Sequence, residues 1–208
     1  MLTAAQTLAF LAAAGVLTAT PGPDNLMVLS MGMSRGRRAG MAFGLGCALG
    51  CLSHTLLAVA GVSALVAASP LAFGLLKGLG GAYLVWMGVQ AWRHAGRASV
   101  GGAVDGGASL RQLFAKGLLA NAINPKVVLF FLAFLPQFVV AGQGPVAAQL
   151  GLLGLLFTAQ AALLFGLLGW FSGSVGAWLN RRPAVGPWLD RLAGTVFIGL
   201  GLRMIVTR

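Results

Sequence analysis

Two short stretches decide the reading of this chain: Thr20-Pro21-Gly22-Pro23-Asp24-Asn25 and Asn121-Ala122-Ile123-Asn124-Pro125-Lys126. Each interrupts a long apolar run. A proline removes one backbone donor and clashes with the carbonyl four residues back. Two prolines flanking a glycine are therefore expected to unwind a turn of helix, and Asn124-Pro125 to break the second run in the same way.

The interrupted runs are the first and fourth of six apolar segments: 4–33, 39–67, 70–92, 112–140, 146–178 and 187–206. Each is long enough to cross about 30 Å of hydrocarbon, which takes roughly 20 helical residues. They lack the alternation of barrel strands, and an unpaired backbone cannot sit in lipid, so helices are predicted throughout. The first run has no positively charged leader and its apolar character resumes after Pro23, so it is read as a retained span rather than a signal peptide. The expected fold is an all-α integral membrane protein forming one transmembrane domain over residues 1–208.

Composition agrees. The 208 residues are 58% hydrophobic and 8% charged, with a mean hydropathy of +0.90, whereas soluble domains carry about 25% charged residues. There is no Glu, and the three acids are Asp24, Asp105 and Asp190. A catalytic carboxylate pair or a metal cage would need nearly all of them, so neither an enzyme, a metal site nor a bound cofactor is expected. Cys47 and Cys51, four apart on the second span, read as small packing residues.

The net charge of +11 is an orientation signal. Loop 33–39 carries Arg35, Arg37 and Arg38; loop 93–111 carries Arg93, Arg97 and Arg111; loop 179–191 carries Arg181, Arg182 and Arg191; only Arg203 and Arg208 lie near the other face. The positive-inside rule puts those three loops in the cytoplasm, and both termini outside. Nucleic-acid binding is excluded because no water-facing basic domain exists to do it. Lys77, Lys116 and Lys126 lie inside apolar runs and are set aside from this count.

Leu76, Leu79, Gly81 and Gly88 of the third span match Leu189, Leu192, Gly194 and Gly201 of the sixth at an offset of 113, and Pro23 matches Pro125 at an offset of 102. This reads as a duplication: a three-helix repeat over 1–92, a cytoplasmic linker over 93–111 rich in Gly, Ala and Ser, and a second repeat over 112–208. An odd number of spans per repeat makes the copies inverted, a common architecture of secondary transporters with the site at the repeat interface. Gly32, Gly36, Gly40 and Gly44, with Gly46 and Gly50, are spaced for close helix packing.

From Asp24 to Arg35 is about 16 Å of helix, and from Lys126 to Pro136 about 15 Å. Measured from opposite faces, both breaks land near the midplane of the membrane. An unpaired charge at that depth costs several kcal/mol, so Asp24 and Lys126 either pair with each other or line a watery substrate site. Half-helix N-termini offer N–H groups to an anion, and Asp24 with unwound carbonyls near Thr20 and Ile123 receives a cation. An α-amino acid, with ammonium and carboxylate about 3 Å apart, satisfies both. The candidate substrate-binding residues are Asp24, Asn25, Asn121, Asn124 and Lys126; Pro21, Gly22, Pro23 and Pro125 make the breaks. Asp24 and His54 are the candidates for coupling to protons. His54 also has a plainer reading, as a buried neutral ring bonded to a neighbouring helix.

With Ser-Arg-Gly-Arg-Arg-Ala-Gly at 34–40, Leu-Lys-Gly-Leu-Gly-Gly-Ala-Tyr-Leu-Val-Trp-Met-Gly at 76–88 and Phe-Leu-Pro-Gln-Phe at 134–138, the chain resembles the LysE/RhtB family of amino-acid exporters along its whole length. The resemblance implies a bacterial inner-membrane translocator that expels amino acids such as homoserine, threonine, leucine, cysteine or lysine and is driven by the proton gradient. It implies Asp24 and Asn124-Pro125-Lys126 as the functional core. A single acid beside a Lys favours a neutral amino acid. The expected partners are that amino acid, protons and the lipid bilayer; the sequence leaves the oligomeric state open.

Two other classes fit less well. Gly32-Met33-Ser34-Arg35-Gly36 matches the nucleophile elbow of serine hydrolases, but the elbow needs a strand-to-helix turn, and this serine is expected to end a membrane helix. His94, beside Arg93 in a loop, reads as solvated. A scaffold or passive channel has no need of two costly breaks. Trp86, Trp92, Trp178 and Trp188 read as interfacial anchors or packed residues, and Phe130, Phe131 and Phe134 as a gate or, alternatively, as packing or lipid-facing residues.

Overall fold

A computed structural model describes residues 2–20, 22–96, 107–140 and 142–206, with backbone alone for residues 65–68, 70, 73, 77, 125, 126 and 129. The described residues are helical, without strands: α1 Ala4–Ala19, α2 Pro23–Arg35, α3 Arg37–Ala68, α4 Pro70–Arg93, α5 Leu110–Ala122, α6 Pro125–Phe134, a 3-10 turn Leu135–Phe138, α7 Val146–Trp170, α8 Ser172–Arg181 and α9 Val185–Val206. Local chemistry sets several starts. Thr3 with Gln6, and Ser109 with Gln112, form reciprocal capping boxes. Ser69 caps α4 ahead of Pro70 at its first position.

Helices occur where the six apolar segments were expected, with both expected breaks present. α1 and α2 meet at 58° across the first break, and α5 and α6 split around Ile123 and Asn124. By length and composition α3, over Arg37–Ala64, and α7 are each able to cross a membrane, and α1 with α2 makes a third candidate. One boundary differs from expectation: the run 146–178 is two helices, α7 and α8, divided at Phe171. No proline is involved, and the ladder continues through it, with Phe171 N–H donating to Leu167 O at 2.9 Å and Val175 N–H to Phe171 O at 2.8 Å. α8 packs on α2, with Gly176 against Met33 and Ser172 against Gly32.

α3 is the central helix, packed along α5 on one side and along α7 and α2 on the other. Glycines make both approaches possible. A Cβ added at Gly40 would lie 2.9 Å from Gly32 Cα, and one at Gly44 would lie 3.0 Å from Phe165 Cβ. Cβ atoms at Gly46 and Gly117 would strike backbone carbonyl oxygens, of Phe114 and Phe43 respectively. Contacts advance from Gly46 with Phe114 to Gly50 with Asn121, which makes α3 parallel to α5, and from Gly40 with Gly169 to Thr55 with Gly154, which makes it antiparallel to α7. Gly36, read from its spacing as part of the same stripe, is different: nothing lies near it, and its φ of +87° makes the turn from α2 to α3.

α4 and α9 form a second tight pair. Added Cβ atoms would lie 2.9 Å from Gly201 O at Gly81, 2.5 Å from Gly81 O at Gly201, 2.5 Å from Gly194 O at Gly88, and 2.6 Å from Gly88 O at Gly194. The helices are thus antiparallel, and the four glycines in contact are those matched at an offset of 113.

The distribution of side chains is that of a molecule in an apolar solvent. Leu8, Leu56, Leu71, Leu79 and Leu163 are exposed, while Asn25, His54, Thr55, Asn121 and Gln149 are buried. Trp86, Trp92, Trp178 and Trp188 are exposed. Phe130, Phe131 and Phe134 are buried and stack on one another and on Phe157 and Phe10, so they do not face lipid. The three arginine-bearing loops gather at one end: Arg35 Nη2 donates to Ala108 O at 2.6 Å, Gly96 N–H donates to Asp190 Oδ2 at 2.9 Å, and the Arg37 guanidinium lies 4.0 Å over the Trp170 ring.

Gly46→Ala or Gly117→Ala is expected to cost about 1–3 kcal/mol through overpacking, seen as a lower temperature at which detergent-solubilised protein stops being monodisperse. Gly166→Ala, whose methyl meets nothing within 4 Å, is expected to leave that temperature unchanged.

Candidate functional site

The site forms where the two breaks meet. At the first, α1 ends in a turn whose carbonyls have lost their helical donors. Asn25 Nδ2 supplies both replacements, donating to Thr18 O at 2.9 Å and Thr20 O at 2.6 Å. The hydroxyls of Thr18 and Thr20 turn back onto Ala14 O and Val16 O. Gly22 is extended, and Pro23 opens α2 with Asp24 in its first turn, where the helix dipole favours a negative group.

At the second break, Ile123 N–H closes α5 on Leu119 O at 3.0 Å and Asn124 N–H reaches Asn121 O at 2.9 Å. Asn124 O then accepts from Val127 and Val128 N–H to open α6. Asn121 joins the breaks. Its Nδ2 donates to Asp24 Oδ2 at 2.9 Å, its Oδ1 lies 3.5 Å from the Cys51 thiol, and its backbone carbonyl lies 3.0 Å from His54 Nε2. A carbonyl only accepts, so Nε2 carries the proton of that bond. Among the described residues His54 Nδ1 is buried without a partner.

Two cavities meet at this junction. The smaller, about 100 Å³, has a polar end of Thr18, Thr20, Asp24, Asn25, Asn121 and Asn124, and an apolar wall that includes Leu17, Met87, Val127, Phe130, Phe157, Ala161, Phe165 and Phe197. The larger, about 360 Å³, runs between α2 and α5 and is lined by Pro23, Asp24, Met27, Met31, Phe43, Lys116, Ala120 and Asn124. Pro23, Asp24 and Asn124 border both.

Of the residues expected from sequence, Asp24, Asn25, Asn121 and Asn124 come together around the smaller cavity. Asn25 has both amide hydrogens committed to α1, which leaves Oδ1 as its group toward the cavity. Pro21 and the side chains of Pro125 and Lys126 lie outside the described residues. His54 approaches the site only through the Asn121 carbonyl and packs on Phe131 at 5.5 Å. Lys116, which the sequence reading gave no role, borders the larger cavity. The signal that finds it is the i, i+4, i+8 face of Lys116, Ala120 and Asn124. The same spacing joins Phe157, Ala161 and Phe165 on α7, but α7 is apolar on every side, so its pattern does not mark which face turns inward.

Residues 15–208 match the protein family described as LysE type translocator. An uncharacterized membrane protein of Vibrio cholerae is 33% identical over 205 residues, covering 97% of each chain. A homoserine/homoserine lactone efflux protein of Salmonella typhimurium is 28% identical over 200 residues, 96% of each chain. A threonine efflux protein of the same organism is 30% identical over 197 residues, 91% of this chain and 92% of its own. No solved structure matches the chain. The family is one of transporters, not enzymes, and Ser34 sits in the last turns of α2 with its hydroxyl on Ser30 O.

Asn25→Leu keeps the volume and removes both donors. The buried Thr18 carbonyl left unpaired costs about 1–3 kcal/mol, so this variant is expected to unfold in detergent at a clearly lower temperature. An unchanged midpoint would show that the first break holds without its clamp.

Proposed function

The chain belongs to the LysE type translocator family, and on that premise we propose that it exports a neutral amino acid from the cytoplasm across a bacterial inner membrane by proton antiport. The observation that carries this reading is the Asn121–Asp24 hydrogen bond, which joins two broken helices at a point bordered by two cavities. The printed names of two relatives, homoserine/homoserine lactone efflux and threonine efflux, support an amino acid as the cargo.

The substrate's ammonium engages Asp24 and the carbonyl and amide oxygens of the first break. Its carboxylate turns to the N-terminus of α6, where Lys126 stands. Asn121 and Asn124 fix its orientation. The wall of Phe130, Phe157, Phe165 and Phe197 supports a side chain without charge, because an ion placed against those rings would lose its hydration without a partner. Asp24 carries the coupling proton, with His54 Nδ1 as the second candidate.

Export proceeds by alternating access. Residues 1–92 and 112–208 act as two inverted three-helix repeats, joined by the linker 93–111, and rock about the breaks. The reciprocal glycine contacts of α4 and α9 support that symmetry, and the gathering of the basic loops at one end supports their cytoplasmic placement.

Inside-out membrane vesicles carrying the protein are expected to accumulate labelled threonine, homoserine or leucine when a proton gradient is imposed, and to stop when it is collapsed. Asp24→Asn is expected to lower that uptake by at least about tenfold. Equal uptake by wild type and Asp24→Asn would remove the carboxylate from the mechanism.

A further inference from the structure

The larger cavity lies to one side of the substrate site just described. Met27 and Met31 lie along α2 from Asp24 toward Arg35, and Lys116 lies on α5 between Leu110 and Asn121. The Arg35–Ala108 hydrogen bond of 2.6 Å brings those two helix ends together at the end of the molecule that carries the arginine loops. This cavity therefore lies on the loop side of Asp24. Val127 and Phe130 of α6, which runs away from that end, border the smaller cavity beyond Asp24.

Among the described residues lining the two cavities, Asp24 is the only acid and Lys116 the only base. They border one space, whose lining also includes the apolar side chains of Met27, Met31 and Phe43. That is a site with both signs and a neutral wall, which matches an α-amino acid with an uncharged side chain. Lysine suits a site of first contact. Its ammonium is a point charge with three rotatable donors on a flexible stem, able to follow a moving carboxylate, whereas a rigid guanidinium fork would hold it in one geometry.

Resting on the export reading above, we propose that the larger cavity is the cytoplasm-side vestibule of the transport path, and that Lys116 receives the substrate's carboxylate there before its ammonium reaches Asp24. The same charge repels amino acids with a cationic side chain, which makes Lys116 a specificity-determining residue as well as a binding one. The three residues common to both cavities, Pro23, Asp24 and Asn124, are the threshold across which the substrate passes. Methionine side chains at 27 and 31 are flexible enough to yield as it does.

The test uses inside-out vesicles, which present the vestibule to the medium, with labelled leucine, threonine and homoserine as probes. Lys116→Gln is expected to raise the KM of whichever of these wild type transports by about tenfold, the loss of one charge-assisted contact, with the maximal rate kept within about twofold. Lys116→Arg is expected to restore most of the affinity. Leucinamide, which lacks the carboxylate, is expected to compete no less well against Lys116→Gln than against wild type. Because Lys116 is exposed, neither change disturbs a packed core; recovery of monodisperse protein checks this. A second measurement does not depend on turnover: in Ala120→Cys, which lines the same cavity and keeps Lys116, leucine but not leucinamide is expected to slow labelling by a membrane-impermeant maleimide. An unchanged KM in Lys116→Gln beside a transporting wild type overturns the vestibule alone, as does equal weakening of leucine and leucinamide. Wild-type vesicles that accumulate none of the three amino acids overturn the export reading and this proposal with it.

Discussion

Hydrocarbon supplies no water to a broken helix, so each backbone group released at a break needs a partner within the protein. Two breaks create that demand, and much of the surrounding structure answers it. Asn25 takes two carbonyls of α1, and the α5 carbonyl of Asn121 accepts from both Asn124 and His54. The asparagines do this because a primary amide carries donors and an acceptor without charge. Asn121 goes further, committing its side chain to Asp24 of the other break. The one described acid of the junction is thus held by a residue from the opposite half of the chain.

That arrangement depends on close helix packing. His54 and Cys51 reach Asn121 because α3 lies almost against α5, and it lies there because the contact is glycine on both helices. A Cβ at Gly50 would lie 2.8 Å from Asn121 Cβ. Small residues that look like generic membrane packing therefore have a second consequence: they set the distance between the polar residues of α3 and the second break. The same logic on the other face of α3, through Gly40 and Gly44, brings α7 close enough for Phe157 and Phe165 to wall the smaller cavity.

Much of the site is legible in the residues alone. Proline beside an asparagine or aspartate inside an apolar run has few explanations, and Asp24, Asn25, Asn121 and Asn124 stand out on that ground. Lys116 does not, because a lysine near the start of a span usually extends its stem to water, and the same residue type at the rim of a cavity has the same neighbours in sequence. The division at Phe171 is also hidden, since its backbone bonds are those of a continuing helix and no proline stands there.

Local chemistry is therefore written in the chain itself. Apolar runs require helices, prolines break two of them, and nine of the eleven arginines fall in three loops that the structure gathers at one end. These follow from the residues whatever surrounds them. Which groups meet is a matter of three-dimensional packing: that Asn121 holds Asp24, that His54 is bound to a carbonyl of the second break, and that Asp24 stands between two cavities with Lys116 on one side. Hydrophobicity is nearly uniform around α3, α4, α7 and α9, and a uniform helix has no preferred face. Glycine contacts and buried hydrogen bonds, made between segments distant in the chain, choose one.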